Sequence, residues 1–171
     1  TACEMTSSPP PVALWKQALR SNTEAILDLQ LASGSYGCTY HAHERRVLTE
    51  DGCGGLLWIP ALLRAGGILD DAALSDRIAH SVRRAGVFYA AAVHDEYIYG
   101  APEDNHSASS EDGLNAVLAY CSLYRAFGEP QHLELARKSA DWMLTFRKLF
   151  NIRPNPMSIL GAYDLRSRGG D

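Results

Sequence analysis

The sequence predicts an all-α protein built from helical hairpins, on three observations. Apolar residues recur at helical spacing along most of the chain. No segment keeps a two-residue alternation bounded by turn residues at both ends, which is the pattern of a half-buried strand. One group of residues occurs twice, displaced by 61 positions. The 171 residues are 46% hydrophobic and 21% charged, which is typical of one globular domain with a substantial core.

About five main helices are predicted, with proline and glycine between them. Residues 1–11 are expected to form an extended tail, because three consecutive prolines favour extended backbone. Residues 12–171 then form a single helical-hairpin domain, whose main helices are predicted over residues 12–31, 54–65, 71–93, 111–127 and 130–150. Gly66 and Gly67 are expected to end the second helix, and Gly128 the fourth. Pro130 suits the first position of the fifth.

Charge and hydropathy exclude two classes of partner. Sixteen Lys and Arg against twenty Asp and Glu give a net charge of −4, and no basic stripe is present, so nucleic acid is not an expected partner. The longest apolar run, residues 56–63, contains a proline and is too short for a membrane span, so no membrane partner is expected.

The cysteines and histidines give no cofactor or metal site. Four cysteines occur without a CxxC motif, and Cys38 and Cys53 flank one loop as either free thiols or a disulfide. His41 and His43 alternate and would face the same side of an extended segment, but no matching ligand set accompanies them. Neither a metal nor a cofactor is therefore predicted.

The internal repeat defines the architecture. Residues 49–52 (TEDG) and 110–113 (SEDG) carry the same motif, and the same displacement superimposes later pairs, such as Leu57 on Leu118, Leu62 on Leu123 and Arg64 on Arg125. Each unit is a helix, a short glycine-containing turn and a longer helix. A single hairpin cannot bury its own apolar face, so such units stack into a solenoid or close into a ring. The longer connections, residues 32–49 and 94–110, must then lie together at one end.

Several of these features resemble a known superfamily. They are the SEDG motif opening an inner helix, Asp141–Trp142 near the end of an outer helix, and the segment DEYIYGAPED over residues 95–104. Together they resemble the (α/α)6 toroids of carbohydrate-active enzymes, the six-hairpin glycosidase superfamily, and its bacterial members in particular. The resemblance implies a partial ring of two hairpins with a leading helix. We therefore expect either further hairpins in a longer chain or self-association into a homo-oligomer.

Three carboxylates are candidates for catalysis: Asp51, Glu111 and Asp112. The repeat predicts that Asp51 and Asp112 lie at equivalent starts of neighbouring inner helices, which pack roughly 8–10 Å apart. That separation is close to the one between the acid and base of inverting glycosidases. Alternatively, acidic residues in a first helical turn simply complement the helix dipole. We favour Asp112 as the catalytic carboxylate because its loop is richer in polar and aromatic residues.

The loop before Asp112 and one inner helix supply candidate substrate-binding residues. Tyr97 and Tyr99 offer flat faces for stacking on sugar rings, whereas the alternative is that they pack the loop onto the helix ends. Glu103, Asp104 and His106 are candidates to bind sugar hydroxyl groups or transfer protons, and the alternative is that the acids are solvated. Trp58 is either a core residue or a residue that lines the ring. The leading hypothesis is a glycoside hydrolase-like protein acting on oligo- or polysaccharide. The alternative is a non-catalytic helical-repeat module that binds glycan or protein.

Overall fold

The computed structural model describes residues 9–100, 107–163 and 167–168, and this part of the chain is mostly helical. The predicted number of about five main helices is confirmed. In chain order, the helices are α1 Pro9–Leu29, α2 Trp58–Leu69, α3 Ala72–His94, α4 Ser110–Phe127, α5 Pro130–Leu144 and the short α6 Ile159–Ala162. None of the helices in the described ranges is long and apolar enough to cross a membrane.

The prediction that the chain contains only helices is wrong between α1 and α2. Strands β1 (Thr39–His41) and β2 (Arg46–Thr49) form an antiparallel hairpin in which Tyr40 pairs with Val47. Tyrosine, valine and threonine favour extended backbone. Strands of three and four residues are, however, too short to show an alternating pattern, and for that reason the sequence did not reveal them.

Several helix boundaries differ from those predicted. Helix α1 begins at Pro9, within the expected tail. Prolines are tolerated there because the N–H groups of a first helical turn have no intrahelical partner, so their absence costs no hydrogen bond. Helix α2 continues through Gly66 and Gly67 and ends at Leu69. A Cβ atom on Gly66 would lie 3.4 Å from the Ile78 side chain, so this glycine permits close packing on α3 instead of ending the helix. Helix α5 ends at Leu144, earlier than expected.

Two helical hairpins, α2–α3 and α4–α5, pack side by side through α2 and α4. Their shared core contains Leu62, Ile78, Val82, Tyr120 and Leu123, all nearly inaccessible to solvent. Gly113, in the first turn of α4, allows close helix packing, since a Cβ atom there would lie 2.6 Å from Met143 Cβ on α5. Closure of such hairpins into a toroid remains a prediction.

The 61-residue repeat extends to the exposure of side chains on the inner helices. Leu62 and its equivalent Leu123 are buried, whereas Leu57 and Leu118 remain 41% and 46% exposed. Equivalent positions therefore face the core or the solvent in the same way in both hairpins. The exposed leucines are consistent with the self-association predicted above, which light scattering would test.

Candidate functional site

Two interhelical segments meet at the starts of the inner helices α2 and α4. The sequence predicted this, because the turns within the hairpins are short and the long connections must lie together at the other end. The first is the β-hairpin with residues 50–57, and the second is the segment that follows α3. The backbone N–H group of Cys53 donates a hydrogen bond to the Tyr99 carbonyl group at 2.6 Å. Gly52 and Gly100 adopt φ angles of +88° and +113°, and a Cβ atom on Gly52 would lie 3.1 Å from Gly100 Cα. The two glycines let the segments approach closely.

Asp51 lies in the first of these segments and is exposed. The expectation that it occupies a first helical turn is wrong, because the left-handed Gly52 follows it and the helical backbone starts with a 3-10 turn at Gly54–Leu57. The Tyr99 hydroxyl group donates a hydrogen bond to the Asp51 carboxylate. This hydrogen bond is the main reason why the pKa of Tyr99 is raised to about 12. Asp51 is thus a solvent-facing carboxylate whose orientation is fixed by a tyrosine.

Asp112 has a different environment, in the first turn of α4. It is buried, and its Oδ2 atom accepts hydrogen bonds from the backbone N–H group and the hydroxyl group of Ser109, at 3.0 and 2.9 Å. Ser109 caps the helix in return, so the two residues form a capping box. These contacts match the alternative in which the acidic residue stabilises the helix start. A catalytic role for Asp112 stays a prediction.

The other predicted residues fall into two groups. Glu111 is exposed in the first turn of α4, and Tyr97 is 51% exposed, with its ring centre 4.8 Å from that of Tyr99. The two tyrosines and Asp51 therefore form one surface, which we call the tyrosine patch. Three predicted residues, Glu103, Asp104 and His106, lie outside the described residues.

A cleft of about 380 Å³ lies between the β-hairpin and the start of α2. Its lining residues come from the hairpin, the 3-10 turn, α2 and the loop after α3, and are Gly37, Cys38, Tyr40, Gly54, Leu57, Trp58, Ala61 and Gly100. Trp58 lines the cleft while part of its ring packs on the core. Its indole N–H group donates to the Tyr40 hydroxyl group at 3.0 Å. We call this surface the aromatic cleft.

The aromatic cleft adjoins the tyrosine patch through the chain itself. Gly100 lines the cleft and directly follows Tyr99, and the Cys38 thiol group donates to the Asp51 carbonyl oxygen at 2.9 Å. Sequence reasoning placed Tyr40 in the loop but not in the site. Recognition of the β-hairpin would have placed Tyr40 in the site, because strand β1 positions Tyr40 beside Trp58 at the start of α2.

The cysteines and histidines near the site do not form a reactive or ligating group. Cys38 and Cys53 are free thiols, and burial raises the pKa of both, that of Cys53 to about 12. His41 Nδ1 accepts a hydrogen bond from the Glu44 backbone N–H group at 3.1 Å. Within the described ranges, no group of three or more His, Cys, Asp or Glu side chains is arranged to hold a metal ion.

Comparison with known proteins adds no assignment: no protein family, no curated protein and no solved structure was found that matches this chain. The fold and the site therefore define the class of protein by themselves. It is a mostly helical protein of stacked hairpins, in which an aromatic cleft lies beside an exposed carboxylate at the start of the inner helices.

Proposed function

We propose that this protein binds oligo- or polysaccharide across the aromatic cleft and the tyrosine patch. The observation that carries the proposal is the position of Asp51, an exposed carboxylate that the Tyr99 hydroxyl group orients next to two aromatic surfaces. A pyranose ring has apolar C–H faces and a rim of hydroxyl groups. Aromatic rings stack on these faces, and an oriented carboxylate accepts hydrogen bonds from the hydroxyl groups.

The size and position of the cleft support the same proposal. Its volume of about 380 Å³ lies within the range of roughly 300–1,000 Å³ typical of small-molecule sites. Gly100 lines the cleft and directly follows Tyr99, whose ring lies against that of the half-exposed Tyr97. A chain of several sugar units would therefore contact the cleft with one unit and the tyrosine patch with another.

A glycan array followed by calorimetric titration of the hits tests this proposal. Tyr97→Ala and Asp51→Asn should each weaken binding by about five- to tenfold, the effect of losing one stacking contact or one charged hydrogen bond. Tyr163→Ala is a matched control, because Tyr163 is exposed outside the site. Absence of binding to any glycan, or equal losses in the control, would contradict the proposal. Binding of a protein instead would support the alternative of a protein-binding module.

Hydrolysis of the bound glycan is a second candidate function. The observation that favours it is a pair of exposed carboxylates, Asp51 before the 3-10 turn and Glu111 in the first turn of α4. Helix α4 packs against both the 3-10 turn that follows Asp51 and helix α2. Glycoside hydrolysis needs one carboxyl group to protonate the leaving oxygen and a second to activate water or attack the sugar.

Chromogenic glycosides and reducing-end assays would detect such turnover. If Asp51 and Glu111 are the reacting pair, Asp51→Asn and Glu111→Gln should each abolish turnover while the protein remains folded. Asp141→Asn, which removes an exposed carboxylate of α5 paired with Arg137, is the control. Binding without turnover would leave a glycan-binding module. Turnover that is lost in Asp112→Asn but kept in Asp51→Asn would instead restore Asp112 as the catalytic residue.

A further inference from the structure

The charge of the aromatic cleft bears on which sugars it accepts. All eight of its lining residues carry uncharged side chains, two of them aromatic and two of them, Leu57 and Ala61, aliphatic. The thiol group of Cys38 is also uncharged at neutral pH, because burial raises its pKa. The described lining residues therefore offer no cation to neutralise a carboxylate or sulfate group on a ligand.

The ionised groups on the adjoining loop are acidic. Asp51 and Glu50 are consecutive and exposed, and the Cys38 thiol group in the cleft donates to the Asp51 backbone. Glu50 accepts a hydrogen bond from Ser33. The nearest cation along α2 is Arg64, which lies one turn beyond Ala61 and does not line the cleft. The β-hairpin carries Arg45 and Arg46, but neither lines the cleft, and Arg46 pairs with Glu44. Among the described residues, an acidic sugar in the cleft would therefore meet the acidic residues of the adjoining loop and no cation of the lining.

The polar atoms of the two aromatic walls are already satisfied within the protein. The Trp58 N–H group donates to the Tyr40 hydroxyl group, which donates in turn to the Tyr36 carbonyl oxygen at 2.8 Å. These walls consequently present ring faces to a ligand and no free hydrogen-bond donor. Ring faces bind the apolar side of a sugar, and this contact gains nothing from a charged substituent.

From these three observations we infer that the aromatic cleft selects neutral pyranose units over uronic acids and sulfated sugars. The inference rests on the proposed carbohydrate binding and specifies its substrate class. Trp58 and Tyr40 provide the stacking surface for one neutral sugar, and Asp51 acts in two ways. It accepts hydrogen bonds from hydroxyl groups, and its charge repels acidic sugars.

The test is titration calorimetry at low ionic strength with tetrasaccharides of equal length. Neutral gluco-, galacto-, manno- and xylo-tetrasaccharides are compared with a tetragalacturonide. We expect at least one neutral ligand to bind, and the acidic ligand to bind at least about five-fold more weakly, the effect of one uncompensated charge at close range. The ratio of the affinity for the neutral ligand to that for the acidic ligand should fall several-fold in Asp51→Asn. Added salt should lower the same ratio in the wild-type protein.

A pair of tryptophan variants tests whether the cleft is the stacking surface. Trp58→Leu should lower the affinity for the neutral ligand by about tenfold. Trp142→Leu is the matched control, because Trp142 is also partly buried and its N–H group also donates internally, to the Glu96 carbonyl oxygen at 2.8 Å. Urea unfolding of both variants confirms that they fold.

The outcomes separate the inference from the function on which it rests. Equal or tighter binding of the acidic tetrasaccharide, with neutral binding intact, would overturn the inference and leave the proposed function standing. An unchanged affinity ratio in Asp51→Asn would overturn the role of Asp51 in selecting against acidic sugars. Equal losses in the two tryptophan variants would overturn the assignment to the cleft. Failure of every tetrasaccharide to bind would overturn both the inference and the proposed function.

Discussion

The Tyr99 hydroxyl group donates a hydrogen bond to the Asp51 carboxylate and so connects residues that lie 48 positions apart in the chain. Asp51 precedes the first inner helix, and Tyr99 belongs to the segment that precedes the second. The bond, together with the backbone bond from Cys53 to Tyr99, joins the two segments at the site. It also fixes the direction in which an exposed carboxylate faces solvent.

The first prediction concerns the ionisation of Tyr99. The Asp51→Asn substitution should lower the pKa of Tyr99 from about 12 towards its ordinary value of about 10, because the hydrogen bond to a charged acceptor is the main cause of the shift. The measurement is a phenolate absorbance titration of Asp51→Asn and of Asp51→Asn/Tyr99→Phe, whose difference isolates this tyrosine. A difference curve still centred near 12 would contradict the bond.

The second prediction concerns the start of α4. Ser109→Ala and Asp112→Ala should each lower the free energy of unfolding by about 1–2 kcal/mol, because each removes one half of the capping box. Urea denaturation measures the change, and Ser107→Ala, at an exposed position before the cap, is the control. If Asp112→Asn instead abolished ligand turnover without changing stability, the carboxylate would serve catalysis and not the helix.

The third prediction compares two glycines within helices. A Cβ atom on Gly113 would lie 2.6 Å from Met143 Cβ and 3.0 Å from the Trp142 ring, so Gly113→Ala should destabilise the protein by about 1–3 kcal/mol. No atom would lie within 4 Å of a Cβ atom on Gly67, so Gly67→Ala should stabilise α2 by about 0.5–1 kcal/mol. Thermal and urea unfolding should show opposite signs. Equal effects would contradict the packing of α4 on α5.

The fourth prediction concerns His132, which is buried with its ring stacked on Tyr120. Among the described residues, no partner bonds its Nδ1 atom, and Nε2 lies 3.9 Å from Glu129. The pKa of this imidazole is lowered, mainly by burial. The charge of Glu129 opposes this shift, and the charge of Arg83, which pairs with Glu129, adds to it.

Because the pKa is lower in the folded state, the unfolded chain binds more protons just below its ordinary pKa of about 6.5. The free energy of unfolding should therefore decrease as the pH falls through this value towards the folded pKa. His132→Phe should reduce this pH dependence, whereas His80→Gln, at an exposed position of α3, should leave it unchanged. Urea unfolding between pH 7.5 and 5 measures both. An unaltered pH dependence in His132→Phe would contradict the buried neutral imidazole.

The number of main helices and their pairing into hairpins could be predicted from the sequence alone. Helical spacing of apolar residues, Pro130 and Gly128 mark the elements, and the repeat relates Leu62 to Leu123 and Leu57 to Leu118, pairs that share the same exposure. These features could be predicted because local backbone preference and hydropathy act over a few residues. The same local signals failed for Gly66, which lies inside α2 and faces Ser75 and Ile78 of α3.

Which side chains of the repeat are exposed to a ligand depends on the packing of the whole chain. Asp51 and Asp112 occupy equivalent positions in the sequence, yet the left-handed backbone at Gly52 leaves one exposed, and the capping box buries the other. The β-hairpin that brings Tyr40 to Trp58 is likewise stabilised by contacts between distant segments and not by strong local signals. Burial and long-range hydrogen bonds depend on how the whole chain packs, and for this reason the repeat predicted the helices correctly and the environment of Asp51 wrongly.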